Sequence, residues 1–511
     1  MFSRHMAGRL VCRDFVRART LRVLTRIAIA GAILAVSCLA TQSPEPHLPS
    51  SPFISIDRPA PADASHVQKI SVTETSPPPS WVYGHWVWED ESTQDSAVRL
   101  VDSYLDRGIT VTAVIIDSPW ETAYNTFEPD PNRFQDFAGM VAYFHSRGVK
   151  VIVWITGVMN LEARSEYELA ARKGFFMTEG PQRSPKVVRW WKGQGSLVDF
   201  FNPEAVQWWG SLMDKALSLG VDGFKVDATD PYVVAAPWSP YLSRQVSPLE
   251  YSRQYYATLY QITRLARGAD AMITARPVDT QRRDPGPKAA LAHSFSPPEI
   301  GWSGWVGDQL SSFDPNHYTG IRGALLNFYY SSELGYFGFG SDIGGYIAPP
   351  GSVVPRDLLL RWAALGAFSP VMENGGIAEH RPFGYGPEAT EAYARFVRIH
   401  MALVPYILEL AHRFPIEQQS AMRFLDRRTF SYTLGPDIFV QPIIDESGAS
   451  DVRLPDQGSW RYLFDPGRIY NGDTRLEMKV PLDEYPVFVR DGSPLLEPLS
   501  RAVMPPGEGG H

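Results

Sequence analysis

Between about residues 98 and 342 the chain repeats one arrangement of polar and apolar positions. A mixed stretch with helical character runs into a glycine, and a near-continuous apolar run follows it. "SYLDRGITVTAVIID" has this form through Gly108 and ends at Asp117. "AYFHSRGVKVIVWIT" repeats it through Gly148, and "KALSLGVDGFKVD" through Gly220 to Asp227. "TRLARGADAMITAR" repeats it through Gly268 to Arg276, and "YYSSELGYFGFGSD" through Gly335 to Asp342. Each glycine suits a helix end that turns left-handed before the next strand. Runs this apolar suit parallel strands buried on both faces. Their alternation with helices predicts either a doubly wound sheet or an eight-stranded α/β barrel. A dinucleotide-binding sheet would carry a glycine fingerprint after its first strand, where "IIDSPW" stands instead. The expected fold is therefore an α/β, (β/α)8 TIM barrel.

After about residue 425 the texture changes. "TFSYTL", "DIFVQPII", "WRYLFD", "LEMKVPL" and "PVFVRDG" are short strands split by turn residues. They predict a small C-terminal antiparallel β-sandwich. The expected organisation is a targeting segment at 1–40, a Pro/Ser-rich linker at 41–79, a barrel at 80–420, the sandwich at 421–502 and a tail at 503–511.

Charge and composition narrow the function. The 511 residues carry a formal net charge of -8. The first 38 hold seven arginines and one aspartate, a net +6, so the rest of the chain carries -8 - 6 = -14. So acidic a chain is not built to neutralise phosphates, and no nucleic-acid partner is expected. The basic start leads into "IAIAGAILAVSCLA" (27–40), which has the length of a signal-peptide apolar region. Export is expected, to the periplasm, the outer surface or the medium. "LAVSC" resembles a degenerate lipoprotein box, which would lipidate Cys38 and attach the protein to a membrane; ordinary cleavage near Ala40 and an uncleaved anchor are the alternatives. Both cysteines, Cys12 and Cys38, lie in this segment.

Active sites of such barrels lie at the C-terminal ends of the strands. Asp117, Asp227, Arg276 and Asp342 all stand there. Helix N-capping could explain one or two of the aspartates, but not the arginine. No HxH or HExxH pair offers metal ligands, and no G-x-S-x-G offers a serine nucleophile. Neither a metal nor a cofactor is expected. Several carboxylates among many aromatics suit glycoside hydrolysis by a nucleophile and a proton donor. "GWSGWVGDQLSSF" (301–313) supplies a second candidate, Asp308, flanked by Trp302 and Trp305. A carboxyl beside apolar rings has a raised pKa and suits the donor; Asp227, beside Lys225, suits the ionised nucleophile.

These stretches resemble glycoside hydrolase family 31, the retaining α-glycosidases, in order from about Trp81 to Pro498. "GFKVDATD" is similar to the family's nucleophile motif, which implies Asp227. "GWSGWVGDQLSSF" is similar to its acid/base motif, which implies Asp308. "VIIDSPW" and "FGSDIGGY" resemble motifs whose aspartates, here Asp117 and Asp342, bind the terminal sugar. "ITARP" places Arg276 at a substrate-contacting arginine, and "RWWKGQGSLVDFFNPEAVQWW" implies Trp191 as a pocket wall. "RWAALGAFSPVMENGG" and "PVFVRDGSPLLEP" complete the series. The resemblance implies an exo-acting, two-step hydrolase of a glycoside or oligosaccharide, with Trp305 beside the sugar. Transglycosylation, a lyase of the same fold, or a surface protein that binds carbohydrate without turnover are the alternatives.

The departures concern specificity. Family members typically carry a large β-sandwich before the barrel; here the Pro/Ser-rich segment precedes Trp81. Lys225 stands where maltose-type α-glucosidases have tryptophan, as in members acting on other sugars. Glu373 and Gly375 stand where an arginine and a sugar-contacting histidine are usual, and His380 is expected to take over that contact. Asp230 replaces a glutamate. "TQRRDPGPK" (280–288) reads as a lid or, preferably, a solvated loop.

Overall fold

The computed structural model describes residues 77–181, 184–227, 233, 235, 237–455 and 457–504. The targeting segment with Cys38, the linker as far as residue 76, and Asp230 lie outside the described residues.

Strands β1 (His85–Glu89), β2 (Ala113–Ile116), β3 (Lys150–Ile155), β4 (Val158–Asn160), β5 (Val187–Trp190), β6 (Gly193–Leu197), β7 (Gly223–Val226), β8 (Trp238–Ser239), β9 (Arg244–Gln245), β10 (Met272–Ala275) and β11 (Met372–Asn374) precede the long helix Pro387–Glu417. Six form one parallel sheet in the order β10-β7-β3-β2-β1-β11. Four of them, β2, β3, β7 and β10, are the apolar runs read from the sequence. All five glycines before the runs take positive φ, from 58° at Gly268 to 98° at Gly220.

Two further segments close the sheet between β10 and β11. Ala275 N donates to Ser303 O (3.2 Å), Gly340 N to Gly304 O (2.8 Å), Val306 N to Gly340 O (3.1 Å) and Ile343 N to Glu373 O (3.0 Å). Trp305 bridges Gly340, and Asp342 bridges Glu373, each in parallel. The expected barrel strand ending at Asp342 is therefore present only as single bridges. Its backbone runs too close to its neighbour for a regular row of side chains: a Cβ on Gly340 would lie 2.2 Å from the Val371 carbonyl.

The sequence reading also took the run ending at Asp117 as the first strand. It is the second. β1 precedes the first α-helix, Gln94–Leu105, and the glycine before its "HWVWE", Gly84, is extended (φ -92°) rather than left-handed and follows no α-helix.

Downstream, strands β12 (Met422–Phe424), β13 (Tyr432–Leu434), β14 (Ile438–Val440), β15 (Ala449–Arg453), β16 (Ser459–Tyr462), β17 (Asp465–Asn471), β18 (Arg475–Lys479) and β19 (Val487–Arg490) are antiparallel. They form a six-stranded sheet, β12-β13-β14-β19-β16-β17, and a two-stranded one, β15-β18. Buried Arg361, on barrel helix Arg356–Ala367, donates to the carbonyls of Val480, Pro481 and Glu484 and ties the barrel to this region.

Candidate active site

Strand β7 sets the centre of the site. Lys225 and Asp227 are two residues apart and so leave the strand on one face. Asp227 Oδ1 accepts from Arg276 Nε (2.8 Å), one residue past the end of β10. Its Oδ2 accepts from Trp154 Nε1 (3.1 Å) on β3. Lys225 turns away from Asp227: its Nζ donates to Asp117 Oδ2 (3.1 Å), just past β2. The cation that pairs with Asp227 is thus Arg276, not the sequence neighbour Lys225. The lysine also lies 4.0 Å from the Trp88 ring centre and 5.1 Å from that of Trp305, contacts that favour its charge.

Arg276 joins the two candidate catalytic groups. Besides Asp227, its Nη2 donates to Asp308 Oδ1 (3.2 Å) and its Nη1 to Asp279 Oδ2 (2.7 Å). The Asp308 carboxyl stands at the cavity wall with 36 % of its side chain exposed, against 8 % for Asp227. Burial still pushes it above the ordinary carboxylate range; Arg276 opposes this, and the negative charges of Asp227 and Asp279 add to it. Of the two tryptophans expected beside Asp308, Trp305 is in the cavity, but Trp302 packs in the core against Phe337 (5.7 Å) and Phe414 (5.3 Å). Gly307, just before Asp308, has φ +94°, and a Cβ there would lie 2.3 Å from Asp279 Oδ2. The tryptophan–glycine–aspartate order therefore lets the chain pass over Asp279 and present Asp308.

Below this pair lies a buried group of charges. Asp117, Lys225 and Asp342 reach the cavity, while Glu373 sits under it with no exposure. Among the described residues neither oxygen of Glu373 has a hydrogen-bond partner, and Asp342 Oδ1 has none. Burial raises both carboxyls; for Glu373 the charge of Asp342 adds to it, and Lys225 opposes it in both. Burial alone would lower Lys225, but Asp117, Asp342 and Glu373 together hold it above the usual lysine range.

The cavity has two parts that share Trp191, Arg276, Asp308 and Tyr346. The inner part, about 40 Å³, is lined further by Asp117, Lys225, Asp227, Trp305 and Asp342. The outer part, about 560 Å³, adds Asp279, Gln281, Arg282 and Arg283. Trp191 caps the turn between β5 and β6 and is 44 % exposed. A separate cavity of about 510 Å³, by Thr122, Glu162 and Glu166, holds none of these residues.

Eight sequence candidates thus line one cavity: Asp117, Trp191, Lys225, Asp227, Arg276, Trp305, Asp308 and Asp342. Glu373 lies beneath it. His380 does not line it; its two ring nitrogens face the carbonyls of Ala378 (2.6 Å) and Gly345 (3.0 Å). The sequence reading missed Trp88, Trp154, Asp279 and Tyr346. Trp154 was open to discovery, because it ends a recognised apolar run. Asp279 stands only three residues beyond Arg276.

Comparison with known proteins agrees with this geometry. The TIM-barrel domain of glycosyl hydrolases family 31 matches residues 75–410, and the C-terminal domain of the same family matches 404–495. The chain therefore belongs to glycosyl hydrolase family 31. An α-xylosidase of Emericella nidulans is 26 % identical over 81 % of this chain and 53 % of its own length. An α-xylosidase of Lactiplantibacillus pentosus is 28 % identical over 81 % and 54 %. The chain thus spans about half the length of these relatives. A GH31 dextranase of Flavobacterium johnsoniae in complex with glucose shares the fold, with TM-score 0.69, 21 % identity, and coverage of 82 % of this chain and 52 % of that one.

Proposed function

We propose that the chain is an exo-acting retaining α-glycosidase with Asp227 as nucleophile and Asp308 as acid/base. The carrying observation is that one guanidinium, Arg276, reaches both carboxyls. Such a link favours the close spacing of a retaining pair, about 5–5.5 Å, over the wider spacing of an inverting one. Asp227 accepts from Arg276 and Trp154 and suits the anion that attacks the anomeric carbon. Asp308, raised by burial, suits protonation of the leaving oxygen. Once deprotonated it activates the water that releases the sugar with its α configuration. Arg276 holds both groups in place and is a positioning residue. The blind inner end, at Asp117, Lys225 and Asp342, suits a chain terminus, which supports exo action.

Lys225 and Asp117 on the cavity floor support a terminal sugar other than a maltose-type glucoside, and the two α-xylosidase relatives make an α-xyloside the first to try. The test is turnover of a panel of aryl α-glycosides with product analysis. Free sugar is expected, with α-xyloside among the substrates, and Asp227→Ala and Asp308→Ala should each lose at least about a thousandfold in kcat/KM. Full activity in Asp227→Ala would rule out the nucleophile assignment; transferred or unsaturated sugar would redefine the reaction.

A further inference from the structure

The outer chamber has a charge that the proposed hydrolysis does not use. Asp308 stands on the boundary between the two parts of the cavity. With the anomeric carbon at Asp227, which lines only the inner part, the group released by protonation at Asp308 departs into the outer part. Two exposed cations face that space, Arg282 and Arg283. Arg282 Nη1 donates to the main-chain carbonyl of Asp308 (3.1 Å), its one hydrogen bond among the described residues. The Arg283 guanidinium has no hydrogen bond or ion pair among the described residues. The carboxylates present do not satisfy these arginines. Asp279 is taken by Arg276 Nη1 and by Gln281 N (2.8 Å), and Asp308 by Arg276 Nη2.

The arginines are held in place rather than trailing in solvent. Thr280, just before them, donates through both its backbone N and its hydroxyl to buried Asn327 Oδ1 (3.1 and 2.7 Å). Asp284, just after them, accepts from Tyr330 (2.7 Å) and from Arg427. Between these anchors Gln281 and Arg282 take φ of 52° and 63°, a left-handed backbone uncommon outside glycine. Such geometry persists where the surroundings enforce it and is frequent at ligand clamps. The arginines also stand out in a chain of net charge -8.

We propose that the outer chamber is an anion-selective subsite, in which Arg282 and Arg283 receive a carboxylate or phosphate group carried by the leaving portion of the glycoside. A guanidinium presents a planar fork of donors that matches either group. The inference deepens the glycosidase reading and rests on it for the direction of departure.

The experiment uses the full chain and the sugar preferred in the panel, as its 4-carboxyphenyl and 4-carbamoylphenyl α-glycosides. The wild type is expected to favour the carboxylate by roughly tenfold or more in kcat/KM, a preference that shrinks in about 0.5 M sodium chloride. Arg282→Gln/Arg283→Gln should bring the ratio to about one, and Arg283→Lys, which keeps the charge, should retain much of it. A ratio near one in the wild type, or one untouched by the double substitution, overturns the proposal. A calorimetric arm needs no turnover: the wild type is titrated with 4-hydroxybenzoate, phenyl phosphate and 4-hydroxybenzamide. Binding of an anion over the amide, lost in the double variant, supports the subsite, and the tighter anion identifies the group. Equal binding of all three overturns it. A protein that turns over no glycoside yet passes this arm refutes the reaction and keeps the anion site.

Discussion

Asp227 and Glu373 are both buried carboxyls, and their surroundings differ in kind. Asp227 accepts from a guanidinium and an indole, whereas Glu373 has no hydrogen-bond partner among the described residues. Burial, then the charge of Asp342, raises Glu373 against the pull of Lys225. A raised carboxyl keeps its proton in the folded state at pH values where the unfolded chain has lost it. The stability it supports is full below the unfolded pKa, about 4.3, and is lost as pH rises towards the folded value. Glu373→Gln keeps the shape and removes the titration. It should match the wild type near pH 4 and exceed it by about 1 kcal/mol or more at pH 8, as read by urea unfolding. A variant less stable than wild type at pH 8 would show that Glu373 is ionised and paired in solution. At this scale the sequence showed eight of the residues that reach the cavity but not how they pair. Lys225 lies two residues from Asp227, yet a long lysine on a strand reaches over its neighbours to Asp117, and no spacing along one strand reports that choice. His380 illustrates the same limit: its nitrogens meet backbone carbonyls, which a motif does not show.

The strands that announce themselves are those with uninterrupted apolar residues behind a glycine turn, and they carry Asp117, Asp227 and Arg276 at their ends. The elements that escape are irregular. β1 follows an extended glycine, Gly84, and no α-helix, and the closing segments around Trp305 and Gly340 have only single bridges. Close backbone approach replaces a ladder there, and it depends on a missing side chain. Gly340→Ala would set a Cβ 2.2 Å from the Val371 carbonyl and press on the segment that carries Asp342, two residues on. A loss of about 2 kcal/mol or more in stability is expected, with reduced turnover. Gly384→Ala, with nothing within 4 Å of its added Cβ, is the control and should change neither by much. Equal behaviour of the two would contradict the closure seen here.

Over the whole molecule, the barrel carries the candidate site and the C-terminal sheets are tied to one of its helices. Arg361 is the clearest link, one buried guanidinium for three carbonyls of the β18–β19 region. Replacing it by methionine fills much of the volume but strands those carbonyls. Arg361→Met should cost about 2–4 kcal/mol, read as a lower midpoint in thermal or urea unfolding. An unchanged midpoint would show that the two parts do not rely on this contact. In the function proposed above, the identity of the sugar rests on few positions, and Lys225 is foremost among them. The proposed chemistry rests on fewer still, the carboxyls of Asp227 and Asp308 around Arg276. Its most direct measurement is mass-spectrometric location of the adduct formed when the protein turns over a 5-fluoro-α-glycosyl fluoride of its preferred sugar. The expected result is one glycosyl ester, on Asp227; an ester on Asp308 or any other residue would contradict the mechanism.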